Sequence, residues 1–537
     1  MVKSNSGFLA GFQEVIITGP IGTTALAGYG GLKKHAQGIN DDLKATCAVI
    51  KKDDTVVALV SLDLAGLLPT TISNIKQLAV KLTHGAIPPS NILIACTHTH
   101  SAPDTLGIFQ PGQLLQYLPD KEYLAILTRN VAGAILGAFN KLKEVSITAG
   151  SKNLFNVTSN RRTNLQPNPK FPRTIDPEIQ ALIFKNDDEI IGIISNFTAH
   201  GTSFPTGRTL LQSADYVGVI RDEISKHYDK EIPNVYLNGA CGDIAPRPYN
   251  LDSETPIMTI RRENDNNSVI IENFIDFCKS TEINPKIFET IYREHIITHP
   301  KSRFNAVEAS ISLDEKLGNL IMKFKEKIPP INSFKRLMLV FFIRTRKEPG
   351  YIHTGKQIAS KIIEIIQIDK PLLGNGILRS ITKEVRLDID DEEMANEGLF
   401  EDMIHQEGEN YYSIMNVQVI EIGDAVIATL PGEAVSQIQL RLKKIIKTQA
   451  GKKYVLISAI TNGEIGYILT PEEFDLAGYE SMICFGRENA YHLEKGLVEL
   501  ISELSSSNIS WNPNIELPAF NDKKGLKLKD IIKISKK

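Results

Sequence analysis

Five polar clusters in the chain each follow directly on an apolar, strand-like run. The first reads Ile92-Leu93-Ile94-Ala95-Cys96-Thr97-His98-Thr99-His100-Ser101-Ala102-Pro103-Asp104. Residues two apart in an extended chain point to one side, so His98 and His100 can face the same point. Neutral imidazoles suit zinc at about 2.1 Å; the plainer reading is a pair of histidines bonded to backbone. The second cluster, Ser195-Asn196-Phe197-Thr198-Ala199-His200-Gly201, runs a strand into a histidine and then a glycine that permits a tight turn under a ligand. Taken alone His200 reads as structural; it gains meaning as a third imidazole beside the other two.

The third cluster, Leu237-Asn238-Gly239-Ala240-Cys241-Gly242-Asp243-Ile244-Ala245-Pro246-Arg247, is a tight loop of small residues whose backbone can approach a substrate. It also fits an ordinary turn in which Asp243 bonds backbone amides. The fourth, Ala428-Thr429-Leu430-Pro431-Gly432-Glu433, again ends a strand at a carboxylate. The fifth, from Thr461 to Thr470, is a glycine-relieved loop that carries Tyr467. In open α/β sheets ligands bind beyond the carboxyl ends of strands, so the shared placement says more than the residue types alone.

The elements that must position these clusters alternate along the chain. Apolar runs at residues 56–62, 92–96, 190–196 and 235–237 read as strands, and residues 71–84, 123–144 and 216–228 show the three-and-four spacing of helices. The same texture returns after residue 351, with a helix at 356–368, strands at 413–422, 425–430 and 454–460, and a helix at 488–505. Such alternation predicts α/β architecture with the sheet largely covered by helices. Between them, residues 251–350 become Lys-, Ile- and Asn-rich with helix-like spacing. The expected organisation is therefore one discontinuous domain, residues 1–250 and 351–510, interrupted by a helical insertion at 251–350 and followed by a basic tail at 511–537.

Composition excludes several classes. With 60 Lys and Arg against 63 Asp and Glu the net charge is −3, so nothing global points to nucleic acid. The five cysteines are scattered and form no CxxC pair, which argues against a disulfide framework or a thiolate zinc site. The N-terminus has no secretion-signal pattern, and the run Leu337 to Ile343 is far short of the roughly 20 residues of a membrane span. A cytoplasmic protein is the expectation. That run is flanked by Lys335, Arg336, Arg344, Arg346 and Lys347. It fits a cap over an acyl chain, a weak membrane-surface contact through 335–347, or a buried segment with basic ends reaching water.

Taken in order, the clusters resemble the neutral/alkaline non-lysosomal ceramidase family. The matching stretches are Pro20-Ile21-Gly22 with Gly28-Tyr29-Gly30, Val60-Ser61-Leu62-Asp63, Thr97-His98-Thr99-His100-Ser101-Ala102-Pro103, Asn160-Arg161, Ala199-His200-Gly201-Thr202-Ser203, Gly242-Asp243, Pro431-Gly432-Glu433, and Asn462 through Tyr467 with Tyr479-Glu480. The resemblance implies mixed β-sheets flanked by helices and a hydrolase with one zinc ion that cuts an amide bond by metal-activated water. It implies His98, His200, Glu433 and Tyr467 as metal ligands, and His100, Arg161 and Asp243 as catalytic groups. Asp63, Thr97, Gly242, Ala245 and Tyr479 are the implied substrate-binding positions. Two imidazoles and a carboxylate leave such an ion net positive, able to polarise a carbonyl and to acidify water.

Two departures shape the expectation. The family's loop carries a serine where this chain has Ala245, so the hydroxyl implicated in ceramide cleavage is missing. The family's C-terminal immunoglobulin-like domain and secretion signal are also not expected here. The leading expectation is a zinc-dependent amidase acting on a small-molecule or lipid-like N-acyl substrate. The rivals are a true ceramidase or sphingolipid amidase, and a non-catalytic metal- or lipid-binding relative. The insertion follows the Gly242–Arg247 loop, so it is expected to roof the cleft on the metal side.

Overall fold

The computed structural model describes residues 7–28, 34–108, 120–155, 157–164, 175–246, 259–263, 267–272, 309–325, 349–368, 370–372, 376–390 and 403–517, with isolated positions at 274–275, 278 and 284. Strands form on the apolar runs: β1 (Phe8–Ile16), β2 (Lys44–Lys52), β3 (Thr55–Leu62) and β4 (Ile92–Cys96). Helix α1 (Pro69–Leu82) opens on a proline, whose fixed φ suits a first turn. Helix α2 (Lys121–Asn140) opens on Asp120, whose carboxylate accepts the N–H groups of Glu122 and Tyr123. Next come β5 (Lys143–Asn153), β6 (Glu178–Asn186), β7 (Glu189–Phe197), α3 (Asp215–Tyr228) and β8 (Asn234–Asn238).

These eight strands form one sheet in the order β8-β7-β6-β5-β1-β2-β3-β4. Most neighbours are antiparallel, but β7–β8 and β3–β4 run parallel. The sheet curls until its edges meet: Ser61 Oγ on β3 donates to Tyr236 O on β8 at 2.6 Å. Past the insertion, whose strands β9–β12 are given below, lie α4 (Gly350–Ile368), β13 (Leu378–Ile389), β14 (Asn410–Ile422), β15 (Ala425–Thr429), α5 (Ser436–Gln449), β16 (Tyr454–Ser458) and α6 (Asn489–Ser505). Strands β13-β14-β15-β16 make a second sheet whose last pair is again parallel.

The cores show how these layers stack. On the outer face of the first sheet, Cys47, Val60 and Ile94 meet Ile75 of α1 and Val131 of α2, while Ile183 and Ile193 meet Ile220 of α3 and Ile362 of α4. On its inner face Phe12, Leu59 and Leu93 meet Ile420, Ile427 and Leu456 of the second sheet. The far face of that second sheet is covered by α5 and α6 through Ile438, Leu442, Leu493 and Leu497. Helices therefore cover only one face of each sheet; the other faces cover each other. A strand buried on both faces reads as a continuous apolar run whichever layer covers it, so the runs alone do not distinguish these arrangements.

The chain divides into two compact units, one of Met1–Pro246 with Thr354–Phe520 and one built on Arg247–His353. Within 251–350, expected to be a helical insertion, positions 274–275 and 278 are helical, and the segment carries strands as well. Among the described residues, β9 (Thr259–Glu263), β10 (Ser268–Glu272), β11 (Ala309–Asp314) and β12 (Asn319–Phe324) form a four-stranded antiparallel sheet in the order β9-β10-β12-β11. The segment Ala309-Ser310-Ile311-Ser312-Leu313-Asp314 alternates with period two, and Gly318 at φ 68° makes the tight turn into β12. Averaging composition over a hundred residues hid that local period. The basic-flanked run at 335–347 lies outside the described residues. Of the tail, 511–517 is described, and Trp511 Nε1 donates to the buried Glu494 Oε2 at 2.7 Å.

Two of the expected substrate-binding positions, Asp63 and Thr97, are buried and bonded within the fold. Asp63, just past β3, has no exposed surface; its oxygens take Arg221 Nη1 and Nη2 of α3 at 3.2 and 2.5 Å, the Lys44 N–H at 2.9 Å and Thr97 Oγ1 at 3.4 Å. Asp63 and Thr97 thus brace the strand ends from within. We predict that Arg221→Met, which leaves Asp63 as an uncompensated buried charge, costs about 3–5 kcal/mol in urea unfolding. A loss under about 1 kcal/mol would show the pair to be dispensable.

Candidate metal centre

The polar clusters meet because the parallel strand pairs of both sheets end at one place. Backbone bonds stitch them together: Cys96 N–H donates to Ile460 O at 3.0 Å, Asn462 N–H to Ile94 O at 2.8 Å and Ala459 N–H to Asn238 O at 2.9 Å. The two histidine segments join directly, with a Thr99–Gly201 bridge and the His100 N–H donating to Gly201 O at 2.9 Å. A Cβ on Gly201 would stand 2.2 Å from His98 O, so this approach requires glycine. His98 itself has φ 65°, a left-handed conformation that a bulky residue adopts only at a cost. That turn puts consecutive side chains where a regular strand would not.

Three ring nitrogens converge. His98 Nε2 lies 3.1 Å from His200 Nε2 and 3.3 Å from His100 Nε2, and the three residues offer atoms within 4.8 Å of one another. The opposite nitrogens of two rings are held by carbonyls: His98 Nδ1 is 2.6 Å from Ala65 O, and His200 Nδ1 is 3.2 Å from Cys241 O. A carbonyl accepts only from N–H, so both rings present an N–H at Nδ1 and turn Nε2 inward. Burial, with Arg161 adding to it, pushes the His200 imidazole well below its ordinary pKa. Burial and His98 lower His100 to about 3. Ring nitrogens facing one another this closely repel unless a proton or a metal cation lies between them. The ring of His100 rests on Gly28, where a Cβ would fall 2.2 Å from its Cγ.

Glu433 completes the cluster. Its Oε2 is buried, makes no hydrogen bond of ordinary geometry, and stands 3.4 Å from His98 Nε2 and 3.7 Å from His200 Nε2. Burial works against its ionisation, but His98 and Arg161 hold the carboxyl below the usual range. Donors of this kind, all aimed at one point, fit a divalent ion such as zinc. Tyr467 is the parallel-strand partner of Glu433 and is nearly buried. Its hydroxyl accepts from Arg161 Nη2 at 2.9 Å and lies 3.4 Å from the Tyr479 hydroxyl. Arg161 also donates to Gly242 O at 2.6 Å, and its guanidinium carbon is 5.7 and 5.5 Å from the centres of the Tyr467 and Tyr479 rings. Tyr479 is half exposed beside them.

Other expected site residues turn out to be supports. Asp243, expected to be catalytic, spends its carboxylate on the Ser436 N–H at 2.8 Å, Ser436 Oγ at 2.9 Å and Asn160 Nδ2 at 2.6 Å. It anchors the start of α5 and the strand before Arg161. Gly242 is where the loop crosses Glu433, since a Cβ there would meet Glu433 O within van der Waals range. Ala245 pairs with Ser159 across a short antiparallel ladder and is partly exposed. Three contributions escaped the sequence reading: the cradle that Gly28 makes for His100, the buried Glu464 and the buried Arg162. Only the Arg161-Arg162 doublet offered a signal, and nothing in it separates the two arginines.

The comparisons agree with this geometry. The family model described as neutral/alkaline non-lysosomal ceramidase, N-terminal, matches residues 8–247 and 401–493. The chain belongs to that family. Those two stretches contain every residue of the cluster. The neutral ceramidase of Mycobacterium tuberculosis is 22% identical over 529 residues, which cover 90% of this chain and 75% of that protein. The neutral ceramidase of Pseudomonas aeruginosa is 22% identical over 492 residues, covering 88% and 68%. The crystal structure of the Pseudomonas aeruginosa neutral ceramidase superposes with a TM-score of 0.65 over 96% of this chain and 78% of that one, at 16% identity, which speaks for the fold. Membership supports a hydrolase acting on an amide bond.

This geometry makes two outcomes measurable. His98→Ala, His200→Ala and Glu433→Ala each lower bound zinc in the purified protein by at least about tenfold at limiting metal; metal content equal to wild type in either histidine variant would remove that residue from the ligand set. The second concerns pH. Burial pushes the Asp243 carboxyl up from 3.8 to about 6, so between those values the folded state holds a proton that the unfolded chain releases. Stability therefore falls as pH rises through that window, by about 3 kcal/mol in all. Asp243→Asn flattens this limb in urea titrations across that window; an unchanged slope would assign it to another group.

Proposed function

We propose that the protein is a zinc-dependent amidase that hydrolyses the amide bond of an N-acylated small molecule or lipid-like substrate. The observation that carries the reading is the convergence of three imidazole Nε2 atoms and an unpartnered carboxylate oxygen on one point. In this reading His98, His200, Glu433 and Tyr467 hold the ion. Bound there, zinc supplies Lewis acidity toward an amide carbonyl and toward water.

The chain's own residues supply the rest. Arg161 is held by Gly242 O and the Tyr467 hydroxyl and stays charged, so it faces the negative charge that develops on the carbonyl oxygen. Hydrolysis forms a C–O bond, breaks the C–N bond and requires a proton at the leaving nitrogen. His100, with Nε2 3.3 Å from that of His98, stands beside that reaction at the centre. Tyr479, half exposed beside Arg161, borders the entry and packs edge-on to Tyr467 at 5.7 Å. Among the described residues no helix is long and apolar enough to cross a membrane.

A second reading, a true ceramidase, is favoured by the relatives, which are neutral ceramidases. Ala245 speaks for the first, since it has no hydroxyl at the loop position. Purified protein assayed with zinc against short N-acyl amides and long-chain N-acylsphingosine separates the two. We expect short amides to be cleaved and the N-acylsphingosine to be cleaved poorly, with Ala245→Ser raising the latter; efficient fatty-acid release from the wild type would favour the ceramidase. Arg161→Met is expected to lower kcat by about 10²–10³-fold with zinc content unchanged. Zinc binding without turnover of any amide would leave the non-catalytic relative standing.

A further inference from the structure

Arg161 has a neighbour that does none of its work. Arg162 is almost completely buried, as are Glu473 and Glu480, which it pairs with. Its Nε donates to Glu473 Oε2 at 2.7 Å, its Nη1 to Glu480 Oε2 at 2.6 Å, and its Nη2 to Glu473 O at 2.7 Å and Ala477 O at 2.9 Å. One planar fork thus grips the segment 473–480 at three points, on side chains and on backbone. No buried cation of a different shape can make this set, because lysine offers a single point charge.

The gripped segment ends at the candidate centre. Glu480 follows Tyr479 directly, and its other oxygen, Oε1, stands 3.7 Å from Arg161 Nε, a buried nitrogen that makes no hydrogen bond. Tyr479 is half exposed; its ring packs edge-on to Tyr467 and lies beside the Arg161 guanidinium, and its hydroxyl meets that of Tyr467. The backbone beneath it also decides where its ring stands. Arg162 also begins its own contacts one residue from Arg161, and its N–H is fixed by Asn160 Oδ1 at 3.1 Å. The same short stretch consequently sets both Arg161 and, through Glu480, Tyr479.

We propose that Arg162 is a positioning residue that holds Tyr479 in register with Arg161 at the candidate centre, and that its fork, through Glu473, Glu480 and Ala477, sets how substrate is gripped by Tyr479. The proposal rests on the amidase reading. A displacement of about 1 Å at a reacting site costs on the order of 10²-fold, so a loosened grip registers in kinetics well before the fold fails.

The test compares Arg162→Lys, Tyr479→Ala and the double variant in the zinc-loaded full chain, with dodecanoyl 4-nitroanilide as a chromogenic N-acyl amide. Arg162→Lys is expected to lower kcat/KM by about 10–100-fold, with bound zinc unchanged and with faster backbone hydrogen exchange confined to 473–483. If Arg162 acts through Tyr479, the double variant is no worse than Tyr479→Ala. Wild-type kcat/KM in Arg162→Lys, or defects that multiply in the double variant, would overturn the proposal. Should Arg162→Lys fail to fold, Glu480→Gln keeps the shape, removes the charge and carries the same comparison. If the wild type cleaves no amide, the amidase reading falls separately, and exchange decides the anchoring: unchanged protection at 473–483 refutes it, and local loss of protection supports it.

Discussion

Everything around the centre serves an arrangement that is unfavourable by itself: three imidazoles with their Nε2 atoms pointing at one another. Left free, the rings would turn until each nitrogen found a donor. Two are prevented because Ala65 O and Cys241 O engage the opposite nitrogens and settle the tautomer. The third is pinned against Gly28, where no side chain would fit. Such convergence persists when the backbone over-determines it, and the left-handed turn at His98 and the close pass of Gly201 are where that cost is stored. A cation between the rings converts the repulsion into coordination.

The frame that enforces this is the meeting of two sheets. The first contributes two parallel strand pairs and the second one, and the loops leaving those pairs bond to one another. His98 and His200 come from the first sheet, Glu433 and Tyr467 from a small parallel pair beyond the second. Neither sheet holds the whole cluster, so the centre exists only where both are formed and docked. This couples its assembly to the burial of the shared core between Phe12, Leu59, Ile427 and Leu456.

Charge is distributed in shells. At the centre the Glu433 carboxylate faces the imidazoles of His98 and His200, and Arg161 helps hold it ionised. One step out, buried ion pairs hold the scaffold: Asp63 with Arg221 under the strand ends, and Arg162 with Glu473 and Glu480 under the tyrosines. Buried pairs of this kind contribute little net stability, because desolvation offsets attraction, but they admit only one geometry. That is the property a constellation of ligands needs.

The sequence by itself determined which residues could do chemistry and that they lie at strand ends. An HxH after five apolar residues, a His-Gly and a Pro-Gly-Glu after two more such runs, and a tyrosine in a glycine-relieved loop are local patterns. Each reports local physics: alternation of side chains, burial of a strand, relief of a turn. The α/β class was legible for the same reason. Tertiary structure alone decided the partners. Asp63 and Asp243 looked like site carboxylates, yet Arg221 and Ser436, far along the chain, claim them, and no local pattern announces a partner 158 or 193 residues away. It alone decided that each sheet covers the other, since an apolar run is the same under a helix or under a strand. Within 251–350 the period-two signal was present in Ala309–Asp314 but was lost when read at the scale of composition. Of the adjacent arginines, only packing shows that Arg161 faces the centre while Arg162 holds the segment beneath it, because successive side chains of the 3₁₀ turn they open point about 120° apart.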